Sequence, residues 1–135
     1  MDARHSLTLT VLHPSRKADE VTAALRIDPD RCWDKGAACN TPDGRPLPGR
    51  HKDMYWRADL AINEPYRGLA AVISDWLDRM DSQRDFIREF ADSGGEVWLE
   101  IYWNFAKTAS DDRLPRQFID RLAAFGIGLH LCPTY

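Results

Sequence analysis

The stretch 96–103 constrains the fold more than any other part of this chain. Val97, Leu99, Ile101 and Trp103 alternate with Glu96, Trp98, Glu100 and Tyr102. Successive side chains of a strand point to opposite faces, so this segment has one apolar face and one face of aromatic and charged groups. It reads as a strand half-buried in a sheet. The segment 6–13 behaves alike, with Leu7, Leu9 and Val11 against Thr8 and Thr10. So does 54–62, where Trp56, Ala58, Leu60 and Ile62 alternate with Tyr55, Arg57, Asp59 and Ala61. A last strand, 127–132, places Ile127, Leu129 and Leu131 together. A parallel sheet covered on both faces would show near-continuous apolar strands. These strands instead predict a sheet whose helices cover one face.

Helical periods fill the gaps. Val21, Ala24 and Leu25 make an inner stripe over 17–27, with Ser15 as the expected N-cap and Asp28-Pro29 as the stop. Leu69, Val72, Ile73, Trp76, Leu77 and Met80 follow a helical period through 67–80, after Pro65 closes the preceding strand. Ser82 and Asp85 resemble a capping pair for a short helix carrying Phe86, Ile87 and Phe90, which Gly94-Gly95 ends. A polar loop, 104–113, precedes a helix that begins near Pro115 and is striped by Phe118, Ile119, Leu122 and Phe125, with Gly126 as its stop. The irregular segment 28–53 is rich in proline and glycine. It reads as a short strand near 31–36 leading into a mobile hairpin tip around Asp43-Gly44.

The expected architecture is one α+β domain over residues 1–135. It has a four- to five-stranded, mainly antiparallel sheet with helices packed on one face. Strand–helix–strand at both ends suggests a ferredoxin-like or pseudo-duplicated arrangement.

Several functions are set aside by composition. No apolar run approaches the roughly 20 residues of a membrane helix, and Met1–His5 leads straight into a strand pattern with no signal peptide. The expectation is therefore no membrane association. The formal net charge of -3, with both signs interspersed, argues against nucleic-acid binding through phosphates. Three cysteines, Cys32, Cys39 and Cys132, make no disulfide framework and point to a reducing cytoplasm.

Chemistry-bearing motifs are missing from the sequence. It has no phosphate loop, no dinucleotide fingerprint, no His-Glu-x-x-His and no nucleophile elbow. Cys32, Cys39 and His51 lack the close spacing of a zinc site, so no metal and no cofactor are expected. Asp111-Asp112 and Asp28/Asp30 read as turn and cap residues, and no catalytic residue is assigned.

Two groups remain as candidate binding residues. The first lies on the mixed face of the sheet: Arg57, Asp59, Trp98, Glu100, Tyr102 and His130. Aromatic residues mixed with charges are the composition of protein interfaces, so this face is read as the site of a protein partner or of self-association. The second is the loop group of Trp33, Lys35, Arg50, His51 and Trp56, which suits an anionic or planar ligand by stacking and charge. That group also has a structural reading, in which Trp33 and Trp56 pin the loop to the core.

Leu7-Thr8-Leu9-Thr10-Val11, the helix end Ala24-Leu25-Arg26-Ile27-Asp28-Pro29, the run Trp33-Asp34-Lys35-Gly36 and the strand opened by Trp56 together resemble the bacterial domain of unknown function 4279. The likeness covers nearly the whole chain, and Pro-x-x-x-Trp-x-Lys-Gly is its most specific piece. The resemblance implies a bacterial cytoplasmic domain with no established reaction, and it carries no catalytic residues over. Small α+β domains of this kind also look like immunity proteins, which neutralise a toxin by binding it.

Overall fold

The computed structural model of the chain describes residues 5–60, 68–104 and 113–134. In chain order the elements are β1 (His5–His13), α1 (Ala18–Leu25), β2 (Arg31–Trp33), β3 (Ala38–Asn40), β4 (Pro46–Arg50), β5 (Met54–Leu60), α2 (Leu69–Arg79), α3 (Arg84–Asp92), β6 (Glu96–Asn104), α4 (Arg116–Phe125) and β7 (Ile127–Thr134). A short 3-10 turn, Asp81–Gln83, joins α2 to α3. The expected strand end at 61–62, Pro65 with the first residue of the next helix, and the loop 105–112 with Asp111-Asp112 lie outside the described residues.

The α+β class holds, with a five-stranded sheet in the order β2-β5-β1-β6-β7. All its pairings are antiparallel except β6 with β7, which is parallel. Both β1 and β2 run antiparallel to β5, so they are parallel to each other. The unit β1–α1–β2 is therefore a strand–helix–strand crossover split by β5. The unit β6–α4–β7 is the same crossover with nothing inserted. This is the pseudo-duplicated plan expressed in three dimensions.

The alternation of the strands decides what each face carries. Leu7, Leu9 and Val11 of β1, Trp56 and Ala58 of β5, and Val97, Leu99 and Ile101 of β6 are all buried in one core. The helices supply Val21 and Leu25, Ile73 and Leu77, Ile87 and Phe90, and Phe118 with Leu122 to that same core. Each fully buried side chain of this size stabilises the fold by about 1.5–3 kcal/mol before entropy is subtracted. The helices therefore cover one face, as the strand pattern predicts. Among the described residues no helix is long and apolar enough to cross a membrane.

Three local expectations change. Ser15 does not cap α1. Its N–H and that of Arg16 donate to Nδ1 of His13, at 3.1 and 3.0 Å, and shape the turn after β1. Two carboxylates serve the helix start instead: the Lys17 N–H donates to Glu20 Oε2 at 3.0 Å, and the Ala18 N–H donates to the distant Asp34 Oδ1 at 2.9 Å. The helix also ends earlier than expected, with Arg26 in the left-handed region at φ 56°. Ser82 and Asp85 form no cap at α3, whose N-cap Gln83 makes no side-chain bond.

The proline-rich segment contains a second, two-stranded sheet of β3 and β4. Its tip is closed by Thr41 N–H to Arg45 O at 2.8 Å and Gly44 N–H to Thr41 O at 2.9 Å, around the expected Asp43-Gly44. Pro46 and Pro48 are tolerated because β4 is exposed and pairs on one side only.

Candidate functional site

Opposite the helices, the even positions of β1 and β6 and the odd positions of β5 share one face. Register aligns them in rows. Asp59 faces Thr8, which faces Glu100, which faces His130. Arg57 faces Thr10, Trp98 and Gly128 in the next row. The structure thus brings all six residues of the first group, Arg57, Asp59, Trp98, Glu100, Tyr102 and His130, onto one surface.

This face has its own inner polar layer. Thr8 and Thr10 are 1% and 6% exposed, although they point away from the helices. Buried hydroxyls need partners, and both have one. Thr8 donates to Oδ1 of Asp59 at 2.9 Å, and Thr10 donates to Oε1 of Glu100. The other oxygen of Glu100, Oε2, meets Nδ1 of His130 at 2.8 Å. The carboxylates are held in place from below, while Asp59 and His130 keep side-chain exposures of 70% and 57%.

Arg57 extends over this layer. Its guanidinium stands 6.0 Å from the Tyr102 ring centroid and 3.9 Å from Oδ1 of Asp59. Its Nε is buried and has no hydrogen-bond partner among the described residues. Burial works against the Arg57 charge, but Tyr102, Tyr55, Asp59 and Glu100 outweigh it and hold its pKa above the ordinary value. Burial, then the Glu100 carboxylate, push the Tyr102 hydroxyl up. The same two causes, in the same order, raise the Cys132 thiol.

Trp98 and Tyr102 flank the layer and are half-buried. The Trp98 ring packs over the backbone at Gly128 and makes an edge contact with His130, ring centroids 6.4 Å apart. The result is a fixed surface of two carboxylates, one guanidinium and two aromatic rings.

The second group is only partly assembled. Trp33 stacks on His51 at 3.8 Å and on Tyr55 at 4.5 Å, both nearly parallel. Two rings at those separations cannot lie side by side on one face of an indole without overlapping, so they occupy its two faces. Arg31 adds a cation–π contact at 5.0 Å. Arg50 donates from Nη1 to Gly36 O at 2.8 Å, and Lys35 is exposed. Trp56 does not belong to this group. It is 0% exposed on the helix side of β5, and its indole N–H donates to Thr22 at 3.0 Å. Beside the stack lies a cleft of about 340 Å³, walled by Asp30, Arg31, Trp33, Asn40 and His51 among others.

Cys32, Cys39 and His51 do not come together as metal donors. Among the described residues a three-donor group forms elsewhere, from Glu100, His130 and Cys132. Reading by sequence spacing missed Cys132. Its signal was the pair His130 and Cys132, two positions apart on a strand and so on one face.

Fold and site define a small α+β domain whose sheet carries a polar, aromatic-flanked surface opposite its helices. The chain belongs to the family described as Domain of unknown function (DUF4279), which matches residues 3–135. No curated protein and no solved structure matches the chain.

Proposed function

We propose that this chain is a non-enzymatic binding domain that takes a protein partner on the helix-free face of its sheet. The supporting observation is the buried threonine layer, which holds the Glu100 and Asp59 carboxylates. The hydrophobic core lies on the other side and does not require these groups. Prearranged charges beside half-exposed aromatic rings are the pattern of interface anchors, because little side-chain freedom is lost on binding. The matching partner surface offers basic or N–H groups to Asp59, whose side chain is 70% exposed, and an apolar edge to Trp98. The cellular setting of the proposal is the bacterial cytoplasm, where the three free cysteines stay reduced. The partner class is a toxin neutralised in the manner of an immunity protein.

The test is affinity capture from lysate of the native bacterium, comparing wild type with Trp98→Ala/Tyr102→Ala and reading the captured proteins by mass spectrometry. A partner held by wild type and lost by the double variant, with the circular dichroism spectrum unchanged, supports the proposal. Equal capture by both sinks the sheet-face reading. Light scattering on the same samples tests self-association through this face, which the double variant should abolish.

A second reading places a small anionic ligand in the cleft beside Trp33. Its volume falls in the range of ligand sites. Both faces of Trp33 are already covered, so recognition there would rest on charge and not on stacking. A thermal-shift screen with Arg31→Ala and His51→Ala controls, both residues lining the cleft, separates the two readings: a ligand that stabilises wild type but not the variants favours the cleft.

A further inference from the structure

We propose that Glu100, His130 and Cys132 form a binding site for one divalent transition-metal ion of the zinc class. The proposal shares Glu100 and His130 with the partner reading but is tested on the isolated chain, so either can fail without the other.

The site follows from the parallel pairing of β6 and β7. Glu100 lies opposite His130, and Tyr102 lies opposite Cys132. Residues two apart on a strand share a face, so the carboxylate, imidazole and thiol converge from two neighbouring strands. One donor atom from each lies within 4.8 Å of the other two. Tetrahedral zinc, with bonds of about 2.0–2.3 Å, places its donors roughly 3.4–3.6 Å apart, so small rotations at the ends of these side chains close the gap.

The donor chemistry is selective. A thiolate, an imidazole and a carboxylate together suit zinc and its neighbours, whereas calcium and magnesium take oxygen ligands. The ionised set carries two negative charges, which a divalent ion neutralises on a surface that already holds the Arg57 cation.

A supporting contact is present for Glu100. Thr10 donates to Oε1 of Glu100, while Oε2 meets Nδ1 of His130 at 2.8 Å, a contact that an ion bound between the two would replace. Outer contacts such as that from Thr10 fix ligand orientation. Strand β7 is the edge of the sheet, and His130 is exposed, so an ion reaches the site from solvent and keeps a fourth position open to water or to another donor.

Cobalt(II) titration of the reduced full chain tests this. The expected result is one equivalent of cobalt bound with thiolate-to-cobalt charge-transfer absorption and the visible bands of a four-coordinate ion, both removed by added zinc. Cys132→Ser should abolish the charge-transfer absorption, and Cys32→Ser/Cys39→Ser should retain it. His130→Ala and Glu100→Gln should each weaken binding by about tenfold or more. If Cys132→Ser does not fold, the exposed His130→Ala variant is read in its place. No charge-transfer absorption with wild type, absorption that survives Cys132→Ser, or affinity untouched by His130→Ala overturns the proposal.

Discussion

The indole of Trp98 occupies the space that a side chain at position 128 would need. A Cβ added to Gly128 would stand 2.7 Å from Cζ3 of Trp98. The glycine is thus a packing requirement of the neighbouring strand. Gly128→Ala should displace the ring and cost about 1–3 kcal/mol, the usual range for overpacking. Urea unfolding measures the loss, and the indole N–H resonance of Trp98 should shift with it. An unchanged midpoint and resonance would place Trp98 elsewhere.

Thr10 and Glu100 are predicted to be energetically coupled. Thr10→Val keeps the shape and removes the hydroxyl that Glu100 accepts from. The expected loss is about 1.5–3 kcal/mol, because the bond involves a charged group. In a cycle with Glu100→Gln, the interaction energy should be at least about 0.5 kcal/mol. Additive losses would show that the two side chains act independently.

His13 should make stability depend on pH in the mildly acidic range. Its Nδ1 accepts two backbone N–H bonds, which requires the neutral ring with its proton on Nε2, facing Ser93 Oγ at 3.0 Å. Burial, with Arg16 second, lowers its pKa below 6.5, while Glu20 and Glu89 act the other way. The unfolded chain then binds this proton at a higher pH than the native chain does. Stability is complete above about pH 6.5 and falls as pH drops towards the folded value, by up to about 1.4 kcal/mol per pH unit. His13→Asn retains an acceptor and should flatten this part of the curve. Parallel curves for wild type and variant between pH 5 and 7 would refute the assignment.

The Trp33 stack should hold the β3–β4 ribbon against the sheet. Trp33→Ala removes its contacts with both His51 and Tyr55. A loss of about 1–3 kcal/mol is expected for a half-buried aromatic, together with faster proteolysis between Thr41 and Arg45. Cleavage at the wild-type rate would show that the ribbon is held by other contacts.

Much of the architecture was legible because its signals are local. The alternation through 96–103 and 6–13 required one-sided strands, and Phe118 to Phe125 at helical spacing required a helix that Gly126 closes at φ 76°. The caps were less legible. Asp34 reaches α1 from 16 positions away, which Ser15, adjacent and of the right chemical type, could not reveal. By sequence Trp56 fits both the apolar alternation of its strand and the aromatic loop group. Burial resolved the conflict, since its neighbour Tyr55 takes the loop side of β5 and Trp56 the helix side.

The sequence by itself determined which residues share a face, because the two-residue period of a strand is set by local sterics within a single segment. It therefore placed Glu100 with Trp98 and Tyr102, and His130 with Cys132. Only the tertiary structure decided that β6 and β7 lie side by side, parallel and in register, so that Glu100 meets His130 across 30 positions of chain. Strand order and register depend on the crossover through α4 and on burial of one shared core. Those are properties of the whole chain, and the donor cluster of Glu100, His130 and Cys132 exists only through them.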